Sequence, residues 1–236
     1  MNEELLIEQE FNNVWNFVLS NKNAVSNQIS PKAFVLGGQP GSGKSYLISK
    51  VCEELNDNVI VINGDDFRKF HPEYNMLQKV HGKDCVKYTA IFSGKMIEAI
   101  LNKAIQERYN IVIEGTFRTE ETPKKTLKLL KDNNYQTNVY IKTCHKNISW
   151  KNCLERYNKT LIHSPNEARY TNKDHHDLVV KNLAKNVLKV FKSGLVNNMK
   201  IYERENLIFD SLKTKTFKID LMKNVLNKSI KTPYRY

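Results

Sequence analysis

Gly38-Gln39-Pro40-Gly41-Ser42-Gly43-Lys44-Ser45 is the stretch that most limits what this chain can fold into. It carries the G-x-x-x-x-G-K-[ST] pattern of a phosphate-binding loop. The apolar run Ala33-Phe34-Val35-Leu36 precedes it and reads as a buried strand. Behind it, Leu47, Ile48, Val51 and Leu55 fall at helical spacing. Strand, loop and helix is the context the motif needs. Glycines let the backbone curl so that several N–H groups converge on one anion, and the helix start adds its unpaired N–H groups. In such a loop Lys44 reaches the β- and γ-phosphates of a nucleoside triphosphate, the Ser45 hydroxyl ligates Mg²⁺, and residues 38–45 form the cradle.

The rest of the chain alternates strands with helices. Residues 3–19 have an amphipathic helical pattern, and 20–30, rich in Asn and Ser, read as a loop. Residues 58–63 form a β-branched run ending in Asp65 and Asp66, and 69–90 read as irregular, with a turn at His71-Pro72. A helix is expected over 92–105, with Glu98 off its apolar stripe; the spacing alone makes Glu98 a surface carboxylate. Gly94, one turn earlier, leaves room beside it. Residues 109–115 form a third strand closed by Glu114, the arrangement that holds Mg²⁺ behind a phosphate loop. A polar loop over 116–119 follows. Then come a helix over 123–131, a strand over 138–143, and helices over 148–157 and 177–191. Strands or a hairpin over 200–204 and 207–210 close the pattern. This alternation predicts an α/β fold: a three-layer sandwich of the P-loop kinase type, its central sheet mainly parallel with helices on both faces. A single kinase domain is expected over 1–211, with the N-terminal helix 3–19. A basic tail over 212–236 has apolar spacing for one more helix.

Composition narrows the function. The 236 residues suffice for one good core, and the 40% hydrophobic content is ordinary for a soluble protein. No secretory signal or membrane-spanning run is visible, and Cys52, Cys85, Cys144 and Cys153 lack C-x-x-C pairing, so free thiols in a reducing cytoplasm are expected. The net charge of +12 favours anionic partners without choosing among nucleotides, nucleic acid, membranes and acidic proteins. Most of it is lysine scattered over helix faces, with no basic run interleaved with aromatics, so nucleic acid is the less favoured partner.

A phosphate loop does not name a reaction. A small-molecule kinase, a nucleotide switch and a nucleic-acid motor all use one. The chain is short for a helicase core and lacks the N-K-x-D guanine-reading motif. A kinase needs an acid to orient the acceptor hydroxyl and cations for the transferring phosphoryl. Asp65, at the carboxyl end of strand two, fits the first role, and Arg118, Arg156 and Arg169 are cations for the second.

Gly37-Gly38-Gln39-Pro40-Gly41-Ser42-Gly43-Lys44-Ser45 and Val61 to Arg68 with His71-Pro72 resemble the zeta-toxin family. So do Val112 to Thr119, Glu155-Arg156-Tyr157, Ala168-Arg169 and His176-Asp177 with Val179 to Leu183. The likeness runs in consistent order over about residues 31–211. It implies a kinase that uses ATP and Mg²⁺ to phosphorylate the 3′-hydroxyl of the sugar of UDP-N-acetylglucosamine, a wall precursor, poisoning bacterial wall synthesis. A small helical antitoxin of the epsilon type would block its nucleotide site. Carried over, Asp65 is the catalytic base, Lys44 and Ser45 serve phosphate and Mg²⁺, and Arg156 and Arg169 stabilise the phosphoryl. Glu98, Thr116, Arg118 and Thr126 line the sugar-nucleotide pocket, with Asp65 at its reacting end. Asp66 departs from the family pattern, standing where a small hydroxyl residue is usual; it adds a like charge beside the base, or is itself the base. Another sugar nucleotide or small hydroxyl compound as acceptor stays open, as does a basic NTP-dependent nucleic-acid-binding protein.

Overall fold

Six apolar runs form one sheet: β1 (Lys32–Gly37), β2 (Ile60–Ile62), β3 (Ile111–Glu114), β4 (Gln136–Thr143), β5 (Asn198–Glu203) and β6 (Asn206–Asp210). Their order is β2-β3-β1-β4-β5-β6; β1 to β5 run parallel, and β6 returns antiparallel on β5. This is a computed structural model, and it describes residues 3–20, 23–215 and 218–231. The expected loop over 20–30 and tail over 212–236 therefore fall partly outside the described residues. Strands covered on both faces read as nearly continuous apolar runs, and β1 and β4 are buried at every position after the first.

The helices are α1 (Glu3–Val18), α2 (Ser45–Glu54), α3 (Gly64–Phe67), α4 (Tyr74–His81), α5 (Cys85–Tyr88), α6 (Ala90–Gln106), α7 (Glu121–Asp132), α8 (Lys146–His163), α9 (Lys173–Lys192) and α10 (Lys218–Lys231). Side chains alternate across a strand, which sorts the core into two layers. Phe34, Leu36, Val112 and Tyr140 meet Leu47 and Val51 of α2. Val35, Ile113, Val139 and Ile201 face the other way, onto α1, α6, α7, α9 and α10. The architecture is the expected three-layer sandwich.

Residues 69–90 depart from the expected irregular stretch. They are short helical pieces, with 3₁₀ turns at Arg68–Phe70 and Gly82–Asp84. Each is too brief to print a 3.6-residue period on the sequence, and Gly82, at φ +48°, breaks the run. Tertiary bonds hold them: an Arg68 Nη1 donates to the Val86 carbonyl at 3.0 Å and to Thr89 Oγ1 at 2.9 Å. The closing pair of strands is a hairpin whose first arm also extends the parallel sheet.

Candidate active site

The loop between β1 and α2 is shaped by its glycines. Gly41 has φ +76°, and a Cβ there would lie 1.9 Å from the Ser149 carbonyl oxygen; at Gly38 a Cβ would meet the Lys142 carbonyl oxygen at 2.2 Å. The chain around it is pinned from the β4–α8 turn and from α8: Gln39 Nε2 donates to the Cys144 carbonyl at 2.6 Å, and Asn152 Nδ2 to the Gly41 carbonyl at 2.9 Å. No side chain caps α2; its Tyr46 and Leu47 N–H groups turn back onto the Gly43 and Lys44 carbonyls at 3.1 and 2.8 Å, so an anion would be met by the N–H groups ahead of them. Lys44 Nζ lies 3.4 Å from the Gly38 carbonyl and 3.6 Å from Glu114 Oε1. The loop lysine and the carboxylate closing β3 thus meet, as a phosphate-loop site requires.

Ser42 Oγ and Gln39 Oε1 are buried without hydrogen-bond partners among the described residues, which fits a cradle completed by a ligand. Among the described residues no three His, Cys, Asp or Glu side chains converge on a metal site. Mg²⁺ bound with a nucleotide takes only one or two protein oxygens besides phosphates and water. The Ser45 hydroxyl and Glu114 are the residues that would supply them.

Asp65 opens α3 immediately beyond β2. Asn63 caps the turn: its Oδ1 accepts from the Asp65 N–H at 3.2 Å, and its Nδ2 donates to Asp66 Oδ2 at 3.0 Å. Arg68 Nε donates to Asp65 Oδ1 at 3.1 Å, and Arg169 Nη1 lies 3.1 Å from Asp65 Oδ2 and 3.9 Å from Asp66 Oδ1. Burial pushes the Asp65 carboxyl up, but the Arg169, Arg68 and Arg156 charges together hold it below the usual aspartate range. Asp66 goes the other way: burial raises it, and the neighbouring Asp65 adds to burial against Arg169. Asp65, Asp66, Arg156 and Arg169 share one cavity of about 230 Å³ with Lys69, Tyr74, Thr160 and Glu167.

Arg156 lies on α8, with an Nη2 donating to Thr171 Oγ1 at 3.3 Å, and Arg169 lies in the link to α9. Two buried groups staple these helices together. Ser149 Oγ and His176 Nε2 are 2.8 Å apart, and His176 Nδ1 is 3.0 Å from Asp177 Oδ1. The loop after β3 is fixed from α9 as well: Asn186 Nδ2 donates to the Phe117 and Arg118 carbonyls at 3.0 and 2.8 Å. Phe117, buried at φ +56°, packs against Gly37.

Glu98, Thr116, Arg118 and Thr126 do not line that cavity. The Glu98 side chain is 65% exposed and pairs with Lys125 Nζ at 3.0 Å, bridging α6 to α7; a Cβ on Gly94 would meet nothing within 4 Å. Sequence reasoning missed Asn63, Asn152, Ser149, Asn186 and His175. Burial, with the adjacent Arg118 charge, holds the His175 imidazole below the usual histidine range, while Asp65 opposes this. Only Asn63 left a readable signal, an Asn two residues before Asp65 at a helix start. The others act across long sequence distances.

A model of the family described as Zeta toxin matches residues 16–214. The chain belongs to the zeta-toxin family. It is 39% identical over 197 residues to Toxin PezT of Streptococcus pneumoniae serotype 4, covering 83% of this chain and 78% of that protein. To Toxin zeta of Streptococcus pyogenes it is 40% identical over 208 residues, covering 88% and 71%. A match to Toxin zeta of Streptococcus agalactiae, 42% identical over 186 residues, spans 65% of that relative's length. A solved structure from the PezAT chromosomal toxin–antitoxin system of Streptococcus pneumoniae superposes with TM-score 0.83 at 30% identity, covering 98% of this chain and 88% of that one. An AvrRxo1-ORF1:AvrRxo1-ORF2 structure with sulphate ions shares the fold at TM-score 0.65 and 13% identity, covering 98% and 73%. This zeta-toxin-family chain is a P-loop kinase, and its phosphate loop and acidic–basic cluster share the carboxyl edge of the sheet. All four cysteines are free, and burial pushes the Cys144 thiol up to about 11. Among the described residues no helix is long and apolar enough to cross a membrane.

Proposed function

We propose that this chain transfers the γ-phosphoryl of ATP to the 3′-hydroxyl of the sugar of UDP-N-acetylglucosamine in the cytoplasm, halting wall synthesis. The observation that carries the reading is Asp65, fixed between Arg68 and Arg169 at the sheet edge that also holds the Lys44–Glu114 pair. Asp65 orients the acceptor hydroxyl and takes its proton late, because its carboxylate is held ionised and is a weak base in the ground state. Lys44 and the loop N–H groups hold the β- and γ-phosphates. Ser45 and Glu114 would hold Mg²⁺, which would supply positive charge against the phosphates. Arg156 and Arg169 neutralise charge on the transferring group, which requires Arg169 to exchange its Asp65 partner for phosphate. Glu98, Thr116, Arg118 and Thr126 form the sugar-nucleotide wall, Glu98 giving up Lys125 when the acceptor arrives.

Incubation with ATP, Mg²⁺ and a panel of nucleotide sugars, followed by mass, tests the reaction. Addition of one phosphoryl group to UDP-N-acetylglucosamine is expected. Transfer only to another hydroxyl compound would keep the kinase and reject the acceptor.

The partner proposed is a small helical antitoxin that covers the nucleotide site. Its support is the likeness to the PezAT structure, described as a toxin–antitoxin system. Competition between nucleotide and a co-expressed antitoxin is the measurement; simultaneous binding of both would reject the blocking mode.

A further inference from the structure

Lys142 stands on β4, two residues beyond Tyr140, and so on the sheet face that α2 covers. It is 4% exposed. Among the described residues no carboxylate and no hydrogen-bond acceptor pairs with its Nζ, which lies instead 4.0 Å from the centroid of the Tyr46 ring. Tyr46 follows Ser45 in the first turn of α2; its hydroxyl donates to the Glu205 carbonyl at 3.1 Å, and its ring meets Tyr202 edge-on at 6.1 Å. The Lys142 Cε is 3.8 Å from where a Cβ on Gly43 would stand. The ammonium is therefore held against the phosphate loop itself, on an aromatic shelf.

A buried cation without a counter-ion is costly, and an aromatic face repays only part of the lost hydration. The groups facing Lys142 do not supply a partner. Lys50 of α2 lies over the same ring at 5.7 Å and adds like charge. Glu205 in the β5–β6 turn and Cys144 beyond β4 favour the charged amine, yet burial outweighs both and holds it below the usual lysine range. An anion cradle lies alongside, with its own orphaned polar atoms. We propose that Lys142, backed by Tyr46, is a nucleotide-binding residue whose counter-ion is the phosphate chain, a second cation beside Lys44. This rests on the loop's nucleotide-binding reading.

Calorimetry with ADP and Mg²⁺ on the folded chain tests this without any turnover. Lys142→Met should weaken ADP binding ~10- to 100-fold, the loss of one charge-assisted contact. Lys142→Arg should restore most of it. Without ligand, Lys142→Met should melt no lower than the parent, because an unpaired buried charge has gone; a merely structural lysine would lower it. Unchanged ADP affinity in a folded Lys142→Met protein overturns the proposal. Should that variant not fold, Lys142→Gln is titrated in its place, and unchanged ADP affinity there overturns the proposal equally. If the folded parent binds no ADP at all, the nucleotide reading of the loop fails and takes this inference with it.

Discussion

Asp65 and Asp66 are neighbours in sequence with opposite shifts, and the difference assigns their work. Arginine charges outweigh burial at Asp65, so its carboxylate is ionised throughout the neutral range. Burial and Asp65 itself win at Asp66. If Asp65 is the acid that orients the acceptor, activity needs it ionised. The acidic limb of kcat/KM then lies below the ordinary aspartate value of about 3.9. If Asp66 is the base, the limb lies above that value and disappears in Asp66→Asn. Asp65→Asn should lower kcat by ~10²- to 10⁴-fold, the usual worth of a positioned base, with Asp66→Asn much milder; a pH–rate profile on both variants decides. Lys44→Ala should abolish transfer, because the β- and γ-phosphates lose their point charge and Glu114 loses the cation 3.6 Å away. Undiminished turnover by purified Lys44→Ala protein would refute the assignment of the loop.

At the scale of elements, α8 carries Arg156 and the link from α8 to α9 carries Arg169, and the Ser149–His176 contact ties the two helices where α8 touches the loop. Arg156→Ala and Arg169→Ala should each lower kcat at least ~10²-fold, a conservative part of the ~10³–10⁵ that such arginines contribute. Acceptor affinity measured without ATP should change little. Loss of acceptor binding with near-normal kcat would make that arginine a substrate clamp. Arg169→Ala should also shift the acidic limb upward, because Asp65 loses the largest of the charges holding it ionised. These elements were unequally legible in the sequence. The β-branched runs and the glycine loop are local patterns, and β1, β3, α2 and α6 follow them closely. Asp65 was readable as an acid just beyond strand two and Arg156 and Arg169 as cations after the core strands, and they do meet around one cavity. Residues 69–90 were opaque because bonds from Arg68, not periodicity, organise them. Asn186, Ser149 and Lys142 were opaque because each is a helix- or strand-interior residue whose role depends on a partner far away in the chain.

On the scale of the whole molecule, the question is how far the folding unit extends. The proposal of a kinase domain over 1–211 with 212–236 as an appendage makes α10 dispensable. Packing argues otherwise. Met222, Leu226 and Ile230 of α10 are buried in the same core as Leu183, Val187 and Val190 of α9 and Ile201 of β5. Removing α10 would uncover that apolar face on the helix that also carries His176 and Asn186. Large-to-small changes at such positions cost about 2–5 kcal/mol each, against a total stability of about 5–15 kcal/mol for an ordinary domain. Leu226→Ala should therefore lower unfolding free energy by ~2–5 kcal/mol in urea, with kcat of the folded fraction close to that of the parent, because no α10 side chain lines the cavity. A chain ending at Ser211 loses all three anchors together and should be largely unfolded or aggregated at room temperature. Circular dichroism and urea melts of the truncated chain beside Leu226→Ala settle the boundary. A truncated chain with the parent's midpoint and cooperativity would show that the core closes without α10, and that residues 1–211 are the folding unit after all.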